Sequence, residues 1–512
     1  MLRWIKSGKS DHPLDAKAVD TLMQELDSKD AVPALEQISA YLDAVKTADN
    51  LKPGRALEIV DLLDRTARPL QRRLTQDYIA ETHRLTKFQK ARLWASVHNY
   101  ATQLTEGYRF CLAKYEVGAV GAPALKPYLP RITCRALRGC AERLKWTLFQ
   151  YSPIEPQVWQ DLGSLYQLAE SLQFSRTSLR VYRGAKSEST AERELLRALM
   201  LAISVPEGLF AVQIELTERI IEQLCGQFLI APRPAPGIHF NFDVSGNRPP
   251  ERISANAQFN SSSRCFGPGG AVAVIENMGK FIEQNGLLPP DLRIAQHSDP
   301  GLTQITLAHL SRYWSRMLPE RKARRRRQVE RVTVVHEYEE VVANVGGLFL
   351  ESPFVSNDEE WVVENESDGG FGAFVPYPNG GWVKVGNLIG IRREDGVSWG
   401  AGIVRRVVMD DQGNRHVGIQ MLARGGAAVT IAATSVNAKP NGAAEGEVCV
   451  LLPSGNAHSG EAVLLMRANF YSPSRNLLMR AYDRKYLLFP LGTVEKTGEF
   501  DVARYRILEE LH

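Results

Sequence analysis

Apolar side chains recur at the spacing of amphipathic helices throughout residues 1–230. Successive segments place apolar residues three or four positions apart, which brings them onto one face of a helix. In "DAVPALEQISAYLDAVKT", that face carries Ala34, Leu35, Ile38 and Leu42. The segment "VWQDLGSLYQLAESL" is typical of one helix of a tetratricopeptide-like pair, but no regular period of about 34 residues runs through the region. The pattern therefore predicts an N-terminal domain of irregular, tetratricopeptide-like helical hairpins.

The pattern becomes mixed after residue 230 and then changes to strands. Residues 231–320 begin with a proline-rich stretch, continue as a strand-like run and end in two further helical patterns. We expect a small mixed subdomain here. From 329 onward, short apolar and β-branched runs are separated by turn signals such as "PNGG" and "DQGN", which is typical of antiparallel strands. The chain is therefore predicted to be all β from that point on.

The strand-like runs fall into two groups. Those within 321–430 have the spacing of a small antiparallel barrel, and 440–512 contains a second group. The second group predicts a separate small β domain, although the same strands could equally complete the first barrel. The stretch 423–446 is rich in glycine and alanine and predicts an edge strand followed by a linker. The predicted fold is thus a multidomain α + β protein, with a helical region followed by an antiparallel β-barrel and a C-terminal β unit.

Composition narrows the classes of function. The 62 basic and 58 acidic side chains leave a net charge of only +4, so any preference for anions must be local. None of the six cysteines forms a CxxC pair, which argues against a zinc site and fits a reducing compartment. The first residues lack the apolar core of a signal peptide, and no apolar run approaches the roughly 20 residues that span a bilayer. We expect a cytoplasmic protein without a membrane span.

A concentrated run of positive charge precedes the first predicted strand of the barrel. Six of the seven residues 321–327 are basic, and the spacing RxxxR follows from Arg327 to Arg331. Further on, a pattern NxSxxG begins at Asn365 at the end of another predicted strand. Each pattern alone is common, because basic runs are usually solvated faces and Asn, Ser and Gly are ordinary turn residues. Their order at the start of a predicted barrel makes the pair more specific.

Together, these two patterns resemble the PilZ domain, the bacterial receptor module for the second messenger cyclic di-GMP. The resemblance extends over about 324–422 and includes the later strand patterns "VGNLIGI", "AGIVRRV" and "HVGIQML". It implies a six-stranded barrel whose ligand is wrapped by the preceding arginine-rich segment. It also implies a non-catalytic protein that transmits a signal by rearranging neighbouring domains.

The residue types suit this ligand. Cyclic di-GMP carries two phosphodiester charges and two guanines, and the fork of an arginine matches both phosphate and the O6/N7 edge of guanine. Short polar groups such as asparagine and serine can contact the guanine edge, and a glycine permits a turn and a close backbone approach. More than one arginine of 324–327 could occupy the first position of the RxxxR pattern. The predicted ligand-binding residues are Arg326, Arg327, Arg331, Asn365, Ser367 and Gly370.

Other candidate sites are weaker. No serine–histidine–aspartate arrangement or carboxylate pair can be identified by spacing, and "GPGG" at 267–270 is not followed by the lysine of a phosphate-binding loop. His336, Glu337 and Glu339 follow one another along a predicted strand and need not converge on a metal. The segment 336–360, which separates the two patterns, is predicted to be a long acidic hairpin. We therefore expect no enzyme activity, no catalytic residue, no metal and no cofactor.

Three functions compete at this stage. The first is a cytoplasmic cyclic di-GMP receptor whose helical region is an output module that binds a protein partner, and the resemblance implies control of motility, pili or biofilm. The second is a nucleic-acid-binding protein, but 321–331 lacks the aromatic residues on which single-stranded bases stack. The third is a protein-interaction scaffold with a degenerate barrel. The first is favoured because every residue of both patterns is present.

Overall fold

The computed structural model describes the chain from Asp30 to Leu511 apart from short gaps. The residues left undescribed within that span are 49–50, 81–84, 186, 293–298, 318–325, 349–357, 395, 434–445, 454–459 and 482. The chain divides into two compact units. The helical unit comprises Met1–Gln150, Ile154–Pro206 and Ala211–Pro319, and the barrel unit comprises Tyr151–Pro153, Glu207–Phe210 and Glu320–His512.

The N-terminal region is helical, as its sequence pattern predicts. Its described α-helices are α1 (Ala31–Thr47), α2 (Pro53–Ile79), α3 (Lys87–Glu116), α4 (Leu129–Leu148), α5 (Pro156–Ser171), α6 (Ala191–Ile203) and α7 (Ala211–Leu224). Short 3₁₀ helices lie at Ala122–Tyr128 and Pro206–Gly208. None of the described helices is long and apolar enough to cross a membrane.

Local sequence signals account for several of these helices. Thr86 begins α3 with a capping box: its hydroxyl accepts from the Gln89 N–H at 3.2 Å, and the Gln89 side chain accepts from the Thr86 N–H at 2.8 Å. The apolar face predicted for α1 is fully buried, and its members are Ala34, Leu35, Ile38 and Leu42. Burial of that face, rather than helix propensity alone, holds a helix of this length in place.

The remainder of the helical unit is mixed. Four short antiparallel strands form a sheet in the order β1-β4-β2-β3. Their bounds are β1 (Leu229–Ala231), β2 (Phe240–Asp243), β3 (Glu251–Arg252) and β4 (Ser263–Gly267). The two helical patterns predicted next are α8 (Ala271–Asn285) and α9 (Pro300–Trp314).

The barrel unit begins with a closed six-stranded antiparallel barrel in the ring order β10-β7-β6-β5-β8-β9. Its strands are β5 (Arg326–Val335), β6 (Glu359–Ser367), β7 (Gly370–Val375), β8 (Leu388–Arg393), β9 (Gly400–Met409) and β10 (Arg415–Ala423). Val332 and Val334 of β5 and Trp361 and Val363 of β6 are buried in its core. This is the period of two that a strand with one buried face requires, and the predicted barrel is confirmed.

A second closed six-stranded barrel follows, in the ring order β11-β12-β13-β16-β15-β14. Its strands are β11 (Ala427–Ala433), β12 (Glu447–Leu452), β13 (Glu461–Arg467), β14 (Leu477–Ala481), β15 (Arg484–Lys496) and β16 (Phe500–Leu511). In both barrels the first strand pairs with the second and the fourth, and the third pairs with the sixth. The two barrels therefore share one topology, and the C-terminal strands do not complete the first barrel.

Two details of the all-β prediction are wrong. The segment after β5 is not entirely a hairpin, because Tyr338–Val345 forms a helix, α10. Val341, Val342 and Val345 suggest a strand by composition, yet they lie on one face of α10 and are buried with residues of both barrels. The predicted edge strand within 423–446 is β11, which pairs with β12 and β14 and so belongs to the second barrel.

Candidate nucleotide-binding site

The pairing of β5 with β6 brings the two sequence patterns together. Arg327 lies directly opposite Asn365, and Arg326 lies opposite Glu366. A bulge follows Arg327, and beyond it Arg331 lies opposite Val362. Because opposed residues of an antiparallel pair project from the same face, the first arginine of RxxxR and the asparagine of NxSxxG are neighbours on the barrel wall.

The serine and glycine of the NxSxxG pattern close the hairpin between β6 and β7. Ser367 lies opposite Gly370, and its hydroxyl donates to the Gly370 carbonyl oxygen at 3.0 Å. A Cβ on Gly370 would lie 2.0 Å from the carbonyl oxygen of Ile419 in β10. That distance is impossible for a real side chain, so glycine is required here because β10 approaches closely. The backbone φ of Gly370 is not positive, so the close approach of β10, and not an unusual backbone conformation, is what requires a glycine.

Asn365 also needs a glycine neighbour. Gly372 of β7 lies opposite Asn365, and a Cβ there would lie 2.8 Å from the Asn365 Nδ2. The missing side chain leaves room for the asparagine amide on the face of the barrel. Gly372 belongs to neither sequence pattern, although it lies two residues after Gly370, a spacing that places both residues on the same face of a strand.

Three of the predicted site residues line one cavity of about 490 Å³ in the wall formed by β6, β7, β9 and β10. These residues are Asn365, Ser367 and Gly370. The volume lies within the range of small-molecule sites, roughly 300–1,000 Å³. The remaining lining residues are Glu364, Gly369, Gly372, Arg405, Arg406, Val408, His416, Val417, Gly418, Ile419 and Gln420.

The three predicted arginines do not line this cavity. Arg326, Arg327 and Arg331 are exposed on the adjacent strand β5. The Arg331 Nη1 lies 3.5 Å from the Glu360 Oε2, and both side chains are largely exposed, so water screens this pair and a ligand can displace it at little cost. The other members of the basic run, 321–325, lie outside the described residues.

Two cationic residues of the cavity lie outside the RxxxR and NxSxxG patterns. Arg405 and Arg406 are adjacent in β9, within the pattern "AGIVRRV" that was assigned only a structural role. The Arg405 guanidinium donates to the Glu495 carboxylate of β15 at 2.5 and 3.1 Å and to the Gln420 side chain at 2.8 Å. Arg406 is more exposed and lies 3.5 Å from Glu207. Arg405 thus joins the cavity to the second barrel.

The histidine of the cavity has both a carboxylate and an aromatic neighbour. The His416 Nδ1 lies 3.2 Å from a Glu364 carboxylate oxygen, and its ring contacts Phe374 edge to face at 5.5 Å between centroids. Arg405 and Arg406 line the same cavity as Asn365 and Ser367, so the cavity offers positive charge for phosphate together with short polar groups for a base edge.

The weak metal candidate gains no support. His336 stacks on Trp382 with 4.1 Å between ring centroids. Among the residues that the structure describes, no group of three potential metal ligands is gathered at one place.

The comparison with known proteins concerns a different part of the chain. Residues 17–235 match the family model described as cyclic-di-GMP receptor FimW, N-terminal domain. No curated protein matches the chain. The match lies in the N-terminal region, whereas the RxxxR and NxSxxG patterns lie in the first barrel, outside the matched residues. Over residues 17–235, the chain is similar to the N-terminal domain of the cyclic-di-GMP receptor FimW.

Proposed function

We propose that the protein binds cyclic di-GMP on the wall of the first barrel, where β5 meets β6. The observation that carries the proposal is the position of Arg327 opposite Asn365, beside the cavity that Asn365 lines with Ser367 and Gly370. The match of the N-terminal region to a cyclic di-GMP receptor family supports the same ligand.

Each predicted residue has a separate part in the proposed complex. Arg327 and Arg331 contact the phosphodiester groups or the O6/N7 edge of guanine, for which the arginine fork is suited. Arg326 is a supporting contact. Asn365 and Ser367 contact the base edge, and Gly370 keeps β10 close to the hairpin that presents them. No metal or cofactor takes part in this binding.

Because the arginines are exposed to solvent, we infer that they move onto the ligand as it binds and do not form a finished binding pocket in its absence. Arg326, Arg327 and Arg331 are exposed, and three like charges on one strand repel each other in the absence of an anion. A ligand with two negative charges relieves that repulsion, so β5 should gain protection from hydrogen exchange when the ligand binds.

We further propose that the helical region is the output module and binds a protein partner in the control of motility, pili or biofilm. Hydrogen exchange tests this proposal. Residues 315–335 should gain protection when cyclic di-GMP is added, and part of the helical unit should change with them. Exchange that changes only at the barrel would leave binding intact and contradict the proposed transmission.

Calorimetric titration of the full chain tests the binding proposal itself. Cyclic di-GMP should bind saturably, whereas GTP and a short single-stranded RNA should bind far more weakly. Equal binding of all three would indicate a general polyanion surface, and binding of the RNA alone would support a nucleic-acid-binding protein instead.

A further inference from the structure

A second basic cavity lies within the helical unit, remote in sequence from the two barrel patterns. Its volume is about 1110 Å³, and it is lined by residues of α2, α4 and α7 together with residues 182–185, 187 and 290–291. Six arginines line this cavity, namely Arg65, Arg68, Arg72, Arg138, Arg183 and Arg219, against two acidic residues, Glu222 and Asp291. We call it the helical-unit cavity.

The arginines reach the helical-unit cavity because of their spacing. Arg65, Arg68 and Arg72 are three and then four positions apart in α2, which places them on one face of the helix. Arg183 comes from the loop after α5, and Arg219 comes from α7. Residues from distant parts of the sequence therefore contribute the same charge to one concave surface, and a concave surface strengthens the potential of such a group.

Among the described residues, two of the six arginines form an ion pair with a carboxylate. The Arg138 guanidinium binds Glu194 through two hydrogen bonds of 2.8 Å, and the Arg219 Nη2 lies 3.0 Å from Glu215. Arg65, Arg68, Arg72 and Arg183 form no ion pair with any carboxylate of the described residues. Of the two acidic lining residues, Glu222 already lies 3.3 Å from Arg197. The lining therefore has an excess of positive charge.

Tyr182 restrains one of these arginines, Arg68. The Arg68 guanidinium carbon lies over the Tyr182 ring, 3.4 Å from its centroid, and this cation–π contact restrains the guanidinium. The Tyr182 hydroxyl donates to the Asp64 carboxylate at 3.4 Å, and Asp64 is buried and also accepts from Tyr108 at 2.7 Å. A guanidinium restrained in this way loses less conformational entropy when it binds an anion.

We propose that the helical-unit cavity binds a small phosphorylated ligand that carries at least two negative charges. Phosphate is the anion that the planar guanidinium fork contacts in pairs of hydrogen bonds. The volume of about 1110 Å³ is slightly larger than the range typical of small-molecule sites, about 300–1,000 Å³, so the cavity has room for a small ligand. An inorganic diphosphate and a nucleoside diphosphate share this chemistry.

The test uses the full chain with Arg327→Ala and Arg331→Ala, so that the proposed barrel site makes no contribution. Calorimetric titrations with inorganic pyrophosphate, with GDP and with a hexaglutamate peptide are compared in this background. Arg72→Gln combined with Arg183→Gln removes two exposed side chains, so folding should be unaffected, and a thermal melt checks this. The matched control is Arg73→Gln, because Arg73 is adjacent in α2, pairs with Asp77 at 3.9 Å and does not line the cavity.

We expect pyrophosphate to bind, the double variant to weaken it by at least about tenfold and Arg73→Gln to leave it unchanged. If GDP binds more tightly than pyrophosphate, the site is one for nucleotides. If pyrophosphate binds more tightly, it is one for inorganic phosphates. Both results agree with the proposal. Absence of binding, or equal losses in the double variant and the control, would overturn it. Binding of hexaglutamate without binding of either phosphate would also overturn it and indicate an acidic protein segment.

Discussion

Arg327 lies directly opposite Asn365 in the pairing of β5 with β6, although helix α10 separates them in the sequence. The RxxxR and NxSxxG patterns, which are each common on their own, therefore lie next to each other on the barrel wall. Arg327 is exposed at the start of β5, and Asn365 lines the cavity next to it. This arrangement determines which substitutions should affect the proposed ligand and which should not.

Replacing either arginine of the RxxxR pattern should weaken cyclic di-GMP binding without unfolding the barrel. Arg327→Ala or Arg331→Ala removes a charge-assisted contact worth about 1.5–3 kcal/mol, which corresponds to about ten- to a hundredfold in Kd. Both side chains are exposed, so the melting temperature should be nearly unchanged. Arg480→Ala, an exposed arginine of the second barrel, is the control and should bind like the parent. Parental affinity in both variants would place the site elsewhere.

Two adjacent glycines should differ sharply in their tolerance of a side chain. Gly370→Ala places a Cβ 2.0 Å from the Ile419 carbonyl oxygen, whereas a Cβ on Gly369 meets no atom within 4 Å. Gly370→Ala should therefore lower the thermal stability of the barrel unit and weaken ligand binding, whereas Gly369→Ala should leave the thermal stability unchanged. Ser367→Ala should be milder than Gly370→Val, because it removes one neutral hydrogen bond worth about 1 kcal/mol. Thermal melts and titrations of the four variants measure these effects, and equal behaviour of the two alanine variants would contradict the close approach of β10.

The ion pair between Arg405 and Glu495 should compete with the ligand. Glu495→Gln removes the carboxylate that holds Arg405 at 2.5 Å, so the guanidinium becomes available to a phosphate in the cavity. Cyclic di-GMP affinity should rise by up to about tenfold, and Arg405→Ala should lower it by a similar factor. Glu499→Gln is the control, because Glu499 accepts from the Leu388 N–H at 3.2 Å and neither residue lines the cavity. A decrease in affinity for Glu495→Gln would show that Arg405 has to remain paired.

The stability of the helical unit should depend on pH through Glu218. Burial, together with the charges of Glu142 and Glu215, raises the pKa of Glu218 to about 7 from 4.5, against the opposing effect of Lys145. A raised carboxyl pKa means that the folded protein keeps a proton that the unfolded chain has released. The unfolding free energy should therefore fall as the pH rises from about 4.5 to 7, by on the order of 3 kcal/mol.

Glu218→Gln should make that decline shallower, because the amide stays neutral at every pH. Chemical denaturation at a series of pH values between 4 and 8 measures the slope. Glu222→Gln, on the same helix but with a half-exposed side chain, should leave the slope of the parent unchanged. A parental slope in Glu218→Gln would show that other groups cause the pH dependence.

Much of the fold could be predicted because its signals are local. The helical spacing that placed Leu35 and Ile38 on one face, and the alternation that buried Val332 and Val334, need only neighbouring residues. Helix α10 could not be predicted by the same means, because a valine-rich segment forms a helix or a strand according to what it packs against. The two barrels that cover Val341 and Val345 supply that information, and apart from Val335 the buried barrel residues of this cluster lie at Leu388 and beyond in the sequence.

The candidate site was predictable only in part, for a similar reason. Asn365, Ser367 and Gly370 follow one another in the sequence and define one hairpin, so a motif can identify them. Arg405 enters the same cavity only because the barrel closes through β9 and β10. Its partner Glu495 comes from the second barrel, and no spacing in the sequence relates the two residues.

The most direct measurement is a double-mutant cycle in the calorimetric titration with cyclic di-GMP, using the parent, Arg327→Ala, Asn365→Ala and the double variant. Because the two residues are opposed on the barrel wall and contact one ligand in the proposed complex, we expect saturable binding by the parent and clear losses in each single variant. The loss in the double variant should differ from the sum of the single losses by more than about 0.5 kcal/mol, as expected for neighbouring residues. A parent that does not bind cyclic di-GMP, or four proteins with equal affinity, would contradict it.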